Sequence, residues 1–245
     1  MQLVGAILGE VILGTKSAAR KTREVSFAVL VTVAQKVDAG SKGEQLGELF
    51  TMLLAGLAGT TPSMVSATVY SLSRLVYEYA DRVGQLAPPL LESVMLLFQH
   101  KSREIVTAAL GFAKVAVVSL SPDLLRTYMK SFIGNLLLWS GDSRNRFRLK
   151  VKVVLERLMR RTSFDEVLEA TPEEHRKLIM AVYKRWKRSK TLKARARSGQ
   201  LADDEGGEGG EGGEGGGEGG EAARRSAHAH QACLELEEAL RARRP

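Results

Sequence analysis

Cysteine is all but missing. Cys233 is the one cysteine in 245 residues, so no disulfide can form within the chain and no cysteine-based zinc site can be completed. That fits a reducing compartment such as the cytosol or nucleus. Proline is scarce at 6 residues, which argues against a loop-rich β-protein and for long helices. Aromatic residues make up 6%, so the core is expected to be aliphatic. Charge is absent from Leu49 to Ser73, yet Thr60-Thr61-Pro62-Ser63 divides that stretch into pieces too short to span a bilayer. The opening Met1-Gln2-Leu3-Val4-Gly5 lacks the basic flank and apolar core of a secretory signal and reads like a fragment that begins inside a fold.

Catalytic constellations are missing too. There is no Walker motif, no GxGxxG after a strand and no HExxH. Asp and Glu stand singly on polar faces, with no pair placed for general acid–base work. His228, His230 and Cys233 have a metal-like spacing but lie in a low-complexity tail without a fourth ligand. His175, beside two Glu in a first helical turn, reads as a surface residue. His100 ends a helix, where a cation suits the dipole. The expectation is a chain without catalytic residues, metal or cofactor.

What is present is helical periodicity, with no strand–helix alternation. The spacing predicts helices over residues 2–13, 18–37 and 43–58. A fourth is opened by Thr61-Pro62, a cap followed by proline at the first position. Pro88-Pro89 opens a short helix through Phe98. Ser102 caps the next, which runs to about Ser119. It carries two apolar stripes, one of Ile105, Ala109, Phe112 and Ala116 and the other of Val106, Leu110, Ala113 and Val117, so it is expected to pack on two sides. Ser121-Pro122 starts another. In Arg144–Arg161 the basic residues alternate as on a strand, but Phe147, Val151, Val154 and Leu158 keep helical steps, and helix is preferred. Thr171-Pro172-Glu173-Glu174 reads as a capping box opening a helix to about Arg195.

Lys21-Thr22-Arg23-Glu24-Val25 recurs 80 residues on as Lys101-Ser102-Arg103-Glu104-Ile105. Helix starts near residues 21, 62, 101 and 143 recur at about 40-residue steps, the period of HEAT-like helix pairs. Such pairs bury their apolar faces only by stacking on neighbours. The fold class expected is all-α, a HEAT/armadillo-like α-solenoid with helical repeats over residues 1–141 and a basic helical C-terminal part over residues 142–198.

Charge is unevenly distributed. Residues 142–198 hold 18 Lys/Arg against 7 Asp/Glu, whereas residues 203–221 hold 8 acidic residues and no basic one. One basic cluster is Arg144, Arg146, Arg148, Lys150 and Lys152. The other is Lys184, Arg185, Lys187, Arg188, Lys190, Lys193, Arg195 and Arg197, with Tyr183 and Trp186 among them. Such arrays bind phosphate backbones through counterion release, and the aromatics suit unpaired bases. RNA contact is therefore expected at Arg144, Arg146, Arg148, Lys150, Lys152, Lys184, Arg185, Trp186, Lys187, Arg188 and Lys190. A solvated face doubling as a nuclear-import signal is the competing reading. Residues 199–222, built of Gly-Gly-Glu units, read as a disordered acidic linker. It is a solvated spacer in preference to a shield for the basic helix. In the tail 223–245, residues 229–242 include Cys233, Leu234, Leu236, Ala239 and Leu240, enough for a short amphipathic helix.

Several stretches together resemble the ribosomal-RNA-processing-protein-twelve family of HEAT-repeat proteins. They are Leu8–Leu13, Ser102–Val106, Ala109-Leu110-Gly111-Phe112-Ala113-Lys114-Val115, Arg146-Phe147-Arg148-Leu149-Lys150 and Thr171–Leu178. The resemblance runs with gaps from about residue 3 to 195. It implies a nucleolar factor of pre-ribosomal particles, mainly of the small subunit, in contact with pre-ribosomal RNA and proteins. It also implies contact with the Ran and karyopherin export machinery. The family's long N-terminal array is missing here, and residues 222–245 match nothing in it. A karyopherin-like transport adaptor that binds proteins only is the alternative.

Overall fold

The computed structural model describes residues 2–41, 44–141 and 146–197. The expected linker (199–222) and tail (223–245) lie outside them. Among the described residues every regular element is helical. They are α1 (Gln2–Gly14), α2 (Arg20–Ser41), α3 (Glu44–Ala55), α4 (Pro62–Glu78), α5 (Ala87–Leu96), α6 (Arg103–Ser119), α7 (Pro122–Leu137), α8 (Arg146–Arg161), α9 (Phe164–Glu169) and α10 (Arg176–Arg197). Four short 3-10 turns lie between them.

Local chemistry sets several of these starts. Thr61 stands in extended backbone and its hydroxyl accepts the Met64 N–H at 3.2 Å, while Pro62 fills the first position, where no N–H is needed. Ser121 and Pro122 do the same for α7, with the Leu124 N–H at 3.3 Å. The expected cap at Ser102 is corrected: the residue holds the position, but its side chain makes no capping bond. Its N–H instead donates to His100 Nδ1 at 2.9 Å. His100 itself ends the 3-10 turn Leu97–Gln99, at the position read from the sequence.

The helices form two rows. α2, α4, α6 and α8 pack in succession, each on the next, and α10 follows on α8. α3, α5 and α7 flank this row, and α1 lies against both α2 and α4. The four inner helices begin at residues 20, 62, 103 and 146, close to the starts read from the sequence. α6 is held between α4 and α8, which explains its two apolar stripes; Ile105, Val106, Ala109, Leu110, Phe112, Ala113, Ala116 and Val117 are all buried. Burying each such Leu, Ile or Val side chain contributes on the order of 2 kcal/mol.

The uncharged stretch becomes the centre of the stack. α4 is buried without a break from Val65 to Ser73. Two of its hydroxyls are satisfied within the helix, Thr68 donating to the Met64 carbonyl at 2.9 Å and Ser73 to that of Val69 at 2.7 Å. Gly56 lets the end of α3 come close: a Cβ there would stand 2.7 Å from Thr68 Oγ1. No helix among the described residues is long and apolar enough to cross a membrane.

Candidate nucleic-acid interface

The Arg144–Arg161 ambiguity resolves as helix from Arg146 onward. Phe147, Val151, Val154, Leu155 and Leu158 are buried against the stack. In a helix, residues two apart point about 200° from each other. Lys150 and Lys152 therefore fall on different flanks of α8, both half-buried, while Arg148 is exposed. The strand-like alternation of charge thus gives two flanks of α8, where the sequence suggested one cluster. Arg144 and the side chain of Arg146 lie outside what is described.

Phe147 anchors this end of α8. Trp139 meets it edge-on with ring centroids 5.0 Å apart, and the Arg103 guanidinium lies 4.9 Å from its centroid. Trp139 Nε1 donates to the Phe98 carbonyl at 2.7 Å.

The helix after it, α9, was not anticipated. Ser163 caps it through the Glu166 N–H at 3.2 Å, and Asp165 and Glu166 stand in its first turn, where negative charge suits the dipole. The short break that follows corrects the expected capping box. Thr171 is buried, and its hydroxyl donates to the Val167 carbonyl at 2.6 Å. It closes α9 instead of opening α10. A single 3-10 turn, Glu173–His175, precedes Arg176, with no side-chain cap. His175 is half-buried, 3.3 Å from Glu174.

α10 carries the second basic cluster. Ile179 and Val182 are buried, and Tyr183 and Trp186 half-buried. Lys184, Arg185, Lys187, Arg188 and Lys190 are all exposed, and from Lys187 to Leu192 no residue is covered. Among the described residues none of these five cations is paired with a carboxylate. Lys193, Arg195 and Arg197 continue the helix.

Aromatic rings knit α10 to its neighbours. Phe164 at the start of α9 stacks on Tyr183, with centroids 4.0 Å apart and planes 21° apart. Tyr183 lies 5.7 Å from Trp186. Arg160 of α8 sits 5.5 Å from the Trp186 centroid and also pairs with Glu156. Lys187 lies 4.8 Å from the Tyr183 ring and Lys190 5.9 Å from Trp186. Each such cation–ring approach is worth on the order of 0.5–1 kcal/mol at an exposed site. One face of Tyr183 is thus committed to Phe164, and Trp186 is shared with Arg160 and Lys190. Phe164 and Arg160 escaped the sequence reading because their partners lie in another helix.

Among the described residues no three His, Cys, Asp or Glu side chains gather as a metal site. His228, His230 and Cys233 fall outside those residues. Fold and site together define an all-helical stack that ends in a cationic helix braced by aromatic rings.

No family model matches the chain. The chain is 30% identical over 201 residues, 75% of its length, to ribosomal RNA-processing protein 12 of Saccharomyces cerevisiae. It is 30% identical over 205 residues, 82% of its length, to an RRP12-like protein of Gallus gallus. Against the RRP12-like protein of Homo sapiens the identity is 30% over 196 residues, 79% of the chain. Over three quarters of its length the chain is thus homologous to the ribosomal RNA-processing protein 12 family. It spans only 15–16% of the length of these relatives.

Proposed function

We propose that this chain is a non-catalytic module of ribosome biogenesis that holds pre-ribosomal RNA on the exposed face of α10 and one flank of α8. The observation that carries the reading is the set of five cations, Lys184, Arg185, Lys187, Arg188 and Lys190, that have no carboxylate partner among the described residues and stand on a helix exposed from Lys187 to Leu192. When such cations neutralise phosphates, the counterions condensed on the RNA are released with a gain in entropy. The relatives are named for ribosomal RNA processing, which supports precursor ribosomal RNA as the kind of RNA. The stacked inner helices, at about 40-residue steps, are read as HEAT-like repeats that offer a surface to pre-ribosomal proteins of the small subunit. Action in the nucleus and nucleolus follows from this reading, with Ran and karyopherin export factors as further partners.

A protein-only adaptor draws support from a different observation. Leu149 and Val153, one turn apart on the outward side of α8, are 50% and 41% exposed, an apolar strip of the kind protein partners cover. RNA crosslinking in cells, with crosslinked peptides mapped, separates the two. Crosslinks to precursor ribosomal RNA within residues 142–197 support the clamp. Pre-ribosome association without such crosslinks, together with binding that salt leaves unchanged, supports the adaptor.

A further inference from the structure

Two aliphatic hydroxyls stand inside the cationic run of α10. Ser189 and Thr191 are both exposed, as is every residue from Lys187 to Leu192. α10 contains no Asp or Glu. Thr191 follows Lys187 by four positions and Arg188 by three, so it lies between them on one helical face. Its hydroxyl donates to the Lys187 carbonyl at 3.1 Å. That bond is exposed, and water replaces it at little cost.

Arg188 also gives Thr191 the pattern that a basophilic protein kinase reads. Such an enzyme lines its peptide groove with carboxylates, which pair bidentately with an arginine three residues before the acceptor. Four hydroxyl residues in the chain have that arginine: Ser26, Ser163, Thr191 and Ser198. The fold separates them. Ser26 and its Arg23 are buried. Ser163 is half-buried and caps α9, while its Arg160 pairs with Glu156 and lies against Trp186. Ser198 lies outside the described residues. Thr191 alone of the other three has both hydroxyl and arginine exposed on an element end that nothing buries. A kinase takes its acceptor in extended chain, and a helix end without packed side chains opens at small cost.

We infer that Thr191 is a phosphoryl acceptor for a basophilic protein kinase, and that its phosphate releases RNA from α10. Thr191 Oγ1 attacks the γ-phosphorus of Mg-ATP. The new O–P bond forms as the bond to the β–γ bridging oxygen breaks, ADP leaves, and the hydroxyl proton passes to the catalytic aspartate of the kinase. The phosphothreonine carries a charge of about −1.5 to −2 at neutral pH. It stands one turn from Lys187 and Arg188 and beside Lys190, where it takes the place of an RNA phosphate. The loss of RNA affinity rests on the RNA reading proposed above; the modification itself does not.

The full chain is incubated with Mg-ATP and the catalytic subunit of cyclic-AMP-dependent protein kinase, and its peptides are mapped by mass spectrometry. Thr191 should take phosphate while Ser26 and Ser163 stay unmodified. Arg188→Gln should slow the step by more than about ten-fold. With about two RNA phosphates displaced, the modified chain should bind single-stranded precursor ribosomal RNA about ten-fold more weakly at about 0.15 M salt. Its slope of log affinity against log salt should fall by about 1.4. Thr191→Ala, treated in the same way, should keep the unmodified affinity. An unmodified Thr191, or a rate indifferent to Arg188, overturns the acceptor. Phosphate on Thr191 with RNA affinity unchanged overturns the release and leaves the RNA reading standing. If the untreated chain shows no salt-dependent RNA binding, the RNA reading fails and the release with it, and the phosphopeptide map alone decides the acceptor.

Discussion

The ammonium of Lys16 pairs with the carboxylate of Glu104, 88 positions further along the chain. Ser66 sits between them, accepting from Lys16 at 3.0 Å and donating to Glu104 at 2.8 Å. Three parts of the stack meet at this point: the α1–α2 connection, α4 and α6. The ion pair is only partly exposed, at 18% and 31%, so water screens it less than a surface pair.

Coupling between Lys16 and Glu104 is therefore expected to be measurable. In urea unfolding, a double-mutant cycle of Lys16→Met and Glu104→Gln should return an interaction of about 0.5–3 kcal/mol. Ser66→Ala should cost about 1 kcal/mol alone and less in either mutant background. Strict additivity of all three would show that the triad adds nothing beyond its separate members.

Thr171 gives a test of two opposed accounts of one residue. As the N-cap the sequence suggests, it should accept Asn or Asp with little loss. As the buried hydroxyl on the Val167 carbonyl, it should accept Ser, lose about 1 kcal/mol as Val, and lose more as Asp. Thermal unfolding of the four variants decides. A stable Thr171→Asp protein would refute the buried arrangement.

Binding to single-stranded precursor ribosomal RNA should depend on the cations of α10. Changing Lys187, Arg188 and Lys190 to Gln should lower the slope of log affinity against log salt by about 2, at roughly 0.7 for each phosphate no longer neutralised. A matched triple at the exposed Lys21, Lys101 and Lys130 should leave the slope alone. Equal slopes for both triples would remove α10 from the interface.

Alkaline stability should depend on Tyr79. Burial foremost, then the carboxylates of Asp38 and Glu78, push its phenol up from 10.0, against a smaller opposing effect of Arg82. The folded state thus favours the protonated phenol. Its contribution is full below about pH 10 and is lost as pH rises through the folded value. The hydroxyl is buried without a hydrogen-bond partner, so Tyr79→Phe should cost little at neutral pH. It should also reduce the loss of stability above about pH 10, read by urea midpoints across that range. An unchanged alkaline limb would place the effect elsewhere.

The inner row was legible because its signals are local and repeated. Apolar stripes on α4, α6 and α7 recur at helical steps, and Thr61-Pro62 and Ser121-Pro122 mark starts that depend on adjacent residues. α9 escaped because six residues make too short a period to read, and Ser163-Phe164-Asp165-Glu166 has no proline to announce it. Ser102 and Thr171 were assigned caps from sequence patterns that do not say which way a hydroxyl turns. Within the candidate site, the exposure of Lys184, Arg185, Lys187, Arg188 and Lys190 was legible as a charge run. The bracing of Tyr183 by Phe164, and of Trp186 by Arg160, was not.

By itself the sequence determined the helical class, the approximate 40-residue recurrence of the inner helices and the concentration of positive charge after residue 142. Each depends on periodicity or composition, quantities that the order of residues already contains. Only the tertiary structure decided that Lys150 and Lys152 lie on different flanks of α8 and that Thr171 closes one helix instead of opening the next. It alone joined Lys16 to Glu104. Those outcomes depend on which helix faces which, and that is set by the shared burial of side chains distant in sequence, to which no local pattern is sensitive.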